Sequence, residues 1–444
     1  MSQRVAIVGA GPSGFYAAAQ LLAAGFAVDL FDALPTPYGL VRAGVAPDHP
    51  KIKSVTRVYE KTAKQEGFRF FGGVELGSDV TREELLERYH GLIYAIGTAT
   101  DNRLGIDGED RPGSVAATEF VAWYNGHPDF ADHDFDLNCS RAVVIGNGNV
   151  AIDVARMLVL DPDELQPTDT ADHAITGFHG AHVQDVIILG RRGPAQASFT
   201  NPELRELGEL ARADVIVNPE DLEGDVPDDL TPTAVRNLEI LRDYAAREPQ
   251  GKTHKIEMRF FRSPVELVGE GPDGQVQGLR VVRNELVDGR AVATHEQEVI
   301  ACGLVVRSIG YRGRPLPGVP FDERRGLIAN DGGRVTGPEG DVLPGEYAVG
   351  WIKRGPSGVI GTNKKDAADT TGKVVEDAEA GRLNAPTDDT DVEEWLRGRV
   401  PGLVTWADWQ AIDAHETAAG EAQGRPRVKL VRVPEMLAIA ERGR

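Results

Sequence analysis

Apolar residues run unbroken from Val5 to Val8, as in a strand buried on both faces, and give way to helically spaced apolar positions from Pro12 to Ala24, stopped by Gly25. Ala27 to Phe31 then reads as the next strand, so the chain opens with a βαβ unit. The same pattern returns later: a strand at Ala142 to Ile145, a helix from about Asn149 to Leu160 and a strand at Val186 to Leu189. Between that helix and strand, Asp161 to His182 is rich in Asp, Pro, Thr and His and predicts an excursion loop with a short helix at most. Asn218 to Thr233 predicts another acidic connection, followed by a helix from Thr233 to Arg247. Strands are expected at Lys255 to Phe261, Gln277 to Asn284 and Val299 to Ser308. The Gly- and Pro-dense stretch from Gly310 to Gly318 suggests a crossing back between domains, and Thr387 to Arg444 a mixed helical tail.

With 444 residues the chain can build two domains, each burying its own core. Its 51 glycines and only 6% aromatics suit an α/β protein with many tight turns and close backbone approaches to ligands. A net charge of −21 argues against nucleic acid or an anionic membrane surface as a partner, although a local basic patch remains compatible with it. Cys139 and Cys302 are the only cysteines, which excludes a disulfide framework, a zinc ribbon and a dithiol active site, and points to a reducing, cytoplasmic setting. The Ala- and Leu-rich stretch after Arg4 is not read as a leader, because Gly9, Gly11, Pro12 and Gly14 interrupt it, and no apolar run is long enough for a membrane span.

The first unit carries Gly9-x-Gly11-x-x-Gly14 between strand and helix. Gly9 allows the sharp turn, Gly11 lets backbone approach a pyrophosphate at the helix N-terminus, and Gly14 permits close helix packing. Asp32, eighteen residues after Gly14, stands at the end of the second strand, where an acid holds ribose hydroxyls. The second unit reads Gly146-Asn147-Gly148-Asn149-Val150-Ala151, and its second strand ends not in an acid but in Gly190 followed by Arg191 and Arg192. Two guanidiniums there suit the 2′-phosphate of NADP(H), where a carboxylate would repel it; a solvated arginine pair beside a turn is the plainer alternative. One dinucleotide fold followed by a second is the layout of flavoproteins that move hydride between nicotinamide and flavin, with FAD expected in the first and NADPH in the second. The missing C-x-x-C removes the disulfide-reductase branch.

Three longer blocks, LPTPYGLVRAGVAPDHPK from Leu34 to Lys51, LGRRGPAQASFT from Leu189 to Thr200 and GWIKRGPSGVIGTN from Gly350 to Asn363, resemble the adrenodoxin-reductase type of NADPH-ferredoxin reductases. With the glycine motifs this resemblance extends from residue 4 to about 370, leaving the tail outside it. It implies an α/β fold of two Rossmann-like dinucleotide-binding domains, the NADP domain (104–312) inserted in the FAD domain (1–103 and 313–444). It implies FAD contacts from Ser13, Asp32, Leu40, Trp351, Gly358, Val359 and Ile360, joining Gly9, Gly11 and Gly14. For NADPH it implies Asn147, Gly148, Asn149, Val150, Arg191, Arg192, Glu203 and Gly358. By the same resemblance His49 and Glu206 would orient groups and adjust charge at the hydride-transfer site. Read from the residues alone, Asn201 and Pro202 start a helix that puts Glu203 and Glu206 on one face, which a solvated helix surface explains equally well, and His49 fits a satisfied loop histidine.

The implied activity is that of an FAD-dependent ferredoxin–NADP+ reductase, passing electrons singly to an acidic iron–sulfur ferredoxin that supplies a downstream enzyme such as a cytochrome P450. Nothing in the chain obliges more than a monomer. Arg42, Lys51, Lys53 and Arg57 are candidates for a basic docking patch on an otherwise acidic body. Two departures stand out: Ala95-Ile96-Gly97 replaces the Ala-Thr-Gly common among related flavoproteins, and the arginine expected after that strand is displaced towards Arg103. Relatives with an iron–sulfur N-terminal domain are excluded, since two cysteines cannot ligate such clusters. A flavin monooxygenase or NADPH oxidase, and a non-enzymatic redox-responsive flavoprotein, are the alternatives that the glycine motifs alone would permit.

Overall fold

The computed structural model describes residues 3–223, 229–271, 274–358 and 360–443. Two compact units emerge: Met1–Thr100 with Tyr311–Arg444, and Asp101–Gly310.

In the first unit the strand Arg4–Val8 pairs in parallel with Ala27–Asp32 on one side and Gly91–Tyr94 on the other. Phe68–Gly72 extends the sheet past Ala27–Asp32, and Val342–Ala348 extends it past Gly91–Tyr94, both again parallel. Short antiparallel strands continue both edges, Val404–Thr405 beside Phe68–Gly72 and Arg334–Thr336 beside Val342–Ala348. Side chains alternate across a sheet, and the alternation sorts the core. Val5 and Ile7 pack with Phe15, Ala18 and Leu21 of the helix Pro12–Ala23, while Ala6 and Val8 pack on the other face with Tyr89, Tyr94 and Val335. Phe15 and Leu21 are fully buried, each contributing about 1.5–3 kcal/mol of transfer free energy. A charge within the buried strand is neutralised locally: Asp29 accepts from Arg4, from Arg69 twice and from the Tyr89 hydroxyl at 2.6–2.9 Å.

The tail is part of this core. Trp409 and Ile412 from the helix Trp406–Glu421, and Met436 and Ala440 from Val433–Arg442, lie in the same buried cluster as Phe15. The edge strand Val404–Thr405 was not expected; two residues are too few to show alternation in a sequence.

In the second unit six strands lie parallel, in the order Ser114–Ala116, Leu304–Arg307, Arg141–Ile145, Asp185–Leu189, His254–Arg259 and Ala213–Val217. Three antiparallel strands, Arg262–Gly269, Val276–Val287 and Arg290–Ala301, form a separate sheet. Leu267, Leu279, Val281 and Ile300 from that sheet pack on Val143, Ile145, Ile187 and Leu189 and so cover one face of the parallel sheet.

Several expectations need correcting. The region from Asp161 to His182 holds two helices, Pro162–Leu165 and Asp172–His179, the first fixed by a capping box from Asp161 and Glu164. Val299 to Ser308 is not one strand: Arg290–Ala301 and Leu304–Arg307 belong to different sheets and separate at Gly303, where an added Cβ would lie 2.6 Å from the Cys139 Cβ. The hairpin turn that was missed is Asp288-Gly289, both with positive φ, a two-residue signal that the sequence does carry.

Candidate functional site

The two glycine loops are built alike. In the first unit the Gly9 N–H donates to Phe31 O at 2.8 Å, and an added Cβ on Gly9 would lie 2.5 Å from the Ala95 carbonyl oxygen. In the second, the Gly146 N–H donates to Leu189 O at 2.9 Å, and a Cβ there would lie 2.0 Å from Ser308 O. Each loop is thus wedged between the ends of two neighbouring strands, at the point where the strand order changes direction and open α/β sheets bind ligands. Each leads into a helix, Pro12–Ala23 or Asn149–Val159, with no acid in its first turn to compete for the free N–H groups.

What lies around the loops matches dinucleotides. A Cβ on Gly11 would meet nothing within 4 Å, so this backbone is open to a phosphate, whereas one on Gly14 would lie 2.0 Å from Gly9 O. Asp32 fixes the loop from the second strand: Oδ2 accepts from the Ala10 N–H at 2.8 Å and Oδ1 from the Leu34 N–H at 2.9 Å. Burial raises its pKa to about 6 despite those two donors, which lower it. Buried polar atoms without a partner among the described residues include Thr98 Oγ1 and Trp351 Nε1 in the first unit and Asn147 Oδ1 in the second, donors and acceptors that a bound cofactor would satisfy.

Ser13, 8% exposed, faces Gly350: a Cβ on Gly350 would lie 2.1 Å from Ser13 Oγ. The turn at Gly350, with Trp351 after it, is held by Asp366, whose Oδ2 accepts from the Gly350 N–H at 2.6 Å and whose Oδ1 pairs with Lys353 at 3.0 Å. Asp366 lies three residues past the last recognised block and was missed, since its partner is a backbone N–H sixteen residues away. Trp351 stacks on Tyr311 at 5.8 Å. Gly358 and Ile360 sit in the loop before the helix Thr362–Glu379; Val359 lies outside the described residues. Leu40 is 46% exposed at the start of the turn Leu40–Ala43. His49 caps the turn Pro50–Lys53, its carbonyl accepting from the Ile52 and Lys53 N–H groups. Arg42 is no docking residue: its side chain is 9% exposed and grips Glu416 through two hydrogen bonds.

In the second unit, Asn147 occupies space left by Gly190, where a Cβ would lie 1.7 Å from Asn147 Nδ2. Gly148 caps the helix Asn149–Val159, Val150 follows half-buried in its first turn, and Asn149 Oδ1 accepts from the Thr200 N–H at 2.8 Å. Arg191 and Arg192 are exposed and have no carboxylate partner among the described residues. The helix Asn201–Leu207 has Thr200, not Asn201, at its N-cap position and no side-chain cap, and the Asn201 side chain donates to Thr233 O and Asn237 Oδ1. Glu203 and Glu206 are half-buried on it, and Glu206 pairs with the buried Arg156 at 3.6 Å. Arg103 pairs with Asp110 at 2.6 Å.

The family model for pyridine nucleotide-disulphide oxidoreductases matches residues 3–161. The chain is 51% identical to the NADPH-ferredoxin reductase FprA of Mycobacterium tuberculosis (strain ATCC 25618 / H37Rv), over 98% of each chain. It is 40% identical to the mitochondrial NADPH:adrenodoxin oxidoreductase of Salvelinus fontinalis, covering 99% of this chain and 91% of that one. The chain belongs to the adrenodoxin-reductase-type NADPH-ferredoxin reductases. The solved structure of Mycobacterium tuberculosis FprA in complex with NADPH aligns with a TM-score of 0.94 at 50% identity, over 99% of this chain and 100% of that one. The fold is therefore the two-domain dinucleotide-binding fold of this reductase family, and the likeness includes the tail, which the recognised sequence blocks had left out.

Proposed function

We propose that the chain is an FAD-dependent NADPH:ferredoxin oxidoreductase, a reading carried by its near-complete likeness to NADPH-ferredoxin reductases. It is an oxidoreductase that uses FAD and NADPH. FAD bound to the chain would supply the chemistry of taking up a hydride and releasing single electrons, while the protein binds, orients and excludes water. Met1–Thr100 with Tyr311–Arg444 would hold FAD: the first-turn N–H groups of Pro12–Ala23 take the pyrophosphate, Asp32 the ribose, and Trp351 and the Gly358 loop the flavin end. Asp101–Gly310 would hold NADPH, with Arg191 and Arg192 on the 2′-phosphate and Glu206, poised by Arg156, at the nicotinamide end.

The partner is a ferredoxin-type protein, and its acidic iron–sulfur character is part of the proposal. What supports it is a helix face that keeps Arg57 from the residues first singled out and adds Lys61 and Lys64. On Thr56–Ala63 and its C-cap, Arg57, Lys61 and Lys64 recur at helical spacing around Val58, which is 48% exposed, and none of the three bases has a carboxylate partner among the described residues. A basic face around an apolar centre, on a body of net charge −21, suits an acidic protein. We further propose that the chain acts as a cytoplasmic monomer, consistent with two unpaired cysteines, and that its electrons reach a downstream enzyme such as a cytochrome P450. No helix among the described residues is long and apolar enough to cross a membrane.

The test is anaerobic reduction of the purified protein by NADPH and by NADH, followed by mixing with ferredoxin and cytochrome c. Flavin bleaching that prefers NADPH, with cytochrome reduction dependent on ferredoxin, is the expected result. Bleaching without transfer to ferredoxin would remove the partner, and a protein that binds no flavin would overturn the reading.

A further inference from the structure

The exposed pair Arg191 and Arg192 springs from a short segment whose backbone is held by hydrogen bonds from two stretches of chain. Along one side it runs against Arg259–Arg262: the Gly190 N–H donates to Arg259 O at 2.9 Å, the Arg262 N–H to Gly190 O at 2.9 Å, and the Phe261 N–H to Arg192 O at 3.1 Å. Phe261 adopts φ +54, rare for a bulky residue, and its ring lies over Gly193, where a Cβ would be 2.7 Å from the ring. A further support is Asn284, from the strand Val276–Val287 of the antiparallel sheet, 4% exposed. Its Nδ2 donates to the Arg191 carbonyl oxygen at 2.7 Å and to Ser263 Oγ at 2.8 Å, using both amide hydrogens, while its N–H donates to Phe261 O at 2.8 Å. The pairing with Arg290–Ala301 shifts register between Val282 and Asn284, and a bulge of this kind re-aims the side chain beside it.

We propose that Asn284 is a positioning residue for cofactor selectivity, holding the Arg191-Arg192 segment in the conformation that receives a nicotinamide dinucleotide bearing a 2′-phosphate. The inference rests on the reading of that pair as the 2′-phosphate site. An arginine on a long stem loses rotamer freedom when it closes on a phosphate, and a fixed backbone origin leaves less to order. Without the amide, Arg191 O turns to water and the segment keeps only its backbone bonds to Arg259–Arg262. A nucleotide lacking the 2′-phosphate makes no use of the pair, so its binding does not depend on the clamp.

Asn284→Ala in the holoenzyme is the test, with NADPH and NADH kinetics on a one-electron acceptor and titration with 2′,5′-ADP. The expected result is a rise of about five- to tenfold in KM for NADPH and in Kd for 2′,5′-ADP, the scale of one buried hydrogen bond. kcat at saturating NADPH and kcat/KM for NADH should stay unchanged. Equal losses with both nucleotides, or no change with either, would overturn the inference. Asn284→Thr, which keeps a donor but shortens the reach, is scored by the same readouts if the alanine variant does not fold. Arg191→Ala with Arg192→Ala separates the two levels: if that double variant keeps its affinity for 2′,5′-ADP, the reading of the pair fails, and if it loses affinity while both Asn284 variants keep theirs, only the role of Asn284 fails.

Discussion

At the scale of single residues, two glycines of one motif answer to different constraints. Gly11 faces open space, so Gly11→Ala should leave the melting temperature of the apoprotein unchanged while lowering FAD affinity by at least about tenfold, the cost of keeping a phosphate from the backbone. Gly14 faces its own loop, so Gly14→Ala should destabilise the apoprotein itself by about 2–3 kcal/mol through overpacking. Equal behaviour of the two variants in thermal melts and flavin titration would contradict this division. Asp32 adds a pH dependence. Its carboxyl titrates at about 6 in the cofactor-free protein, above the ordinary 3.8, because burial outweighs its two backbone donors. The folded state thus binds the extra proton first, and acidification from pH 7 through 6 towards 4 favours the apoprotein through this group. In the proposed role of Asp32 on the ribose the ionised form is the stronger acceptor, so FAD affinity should fall below about pH 6, by up to about tenfold per unit. Quenching of flavin fluorescence against pH checks it; a flat profile from pH 7 to 5 would remove Asp32 from FAD binding.

At the scale of elements, the tail helix Trp406–Glu421 is fastened by one carboxylate. Glu416 is fully buried, pairs with Arg42 at 2.5 Å and Arg427 at 3.1 Å, and accepts from the Leu430 N–H at 2.8 Å. Burial raises its pKa, but the two arginines and the backbone donor outweigh it, and the net shift is downward from 4.5. Its stabilisation is complete above pH 4.5 and is lost as pH falls through the lowered value. Glu416→Ala should cost about 3–5 kcal/mol by stranding the buried Arg42, while Arg427 keeps Asp413 at 2.6 Å, and should flatten the acid limb of the stability curve. Urea unfolding at pH 7 and pH 4 measures both effects; a variant as stable as the parent at pH 7 would show that the cluster is idle. The sequence block around Arg42 invites a docking role, and only the fold reveals that its partner lies 374 residues away.

At the scale of the molecule, the two units differ in how they can be dissected. Asp101–Gly310 is continuous and carries its own six-stranded sheet and apolar cluster, so expressed alone it should melt cooperatively and bind 2′,5′-ADP but not FAD. Calorimetry and nucleotide titration of that fragment test the assignment, and tight FAD binding by it would reverse the two sites. The first unit needs both Met1–Thr100 and Tyr311–Arg444, because the parallel strand Val342–Ala348 and the tail helices fill the core around Arg4–Val8.

The sequence by itself determined the two βαβ units, their glycine loops and the contrast between Asp32 and the Arg191-Arg192 pair. These are local: strand, turn and helix follow within about thirty residues, and apolar periodicity and glycine placement are written in neighbouring positions. The tertiary structure decided what depends on contacts between distant segments. It broke Val299 to Ser308 into strands of two sheets, turned the tail into core, withdrew Arg42 from the surface, and brought Asp366 to Gly350 and Asn284 to Arg191. A buried amide or carboxylate answers to a backbone group that another stretch of chain supplies, and its own neighbours carry no trace of that partner.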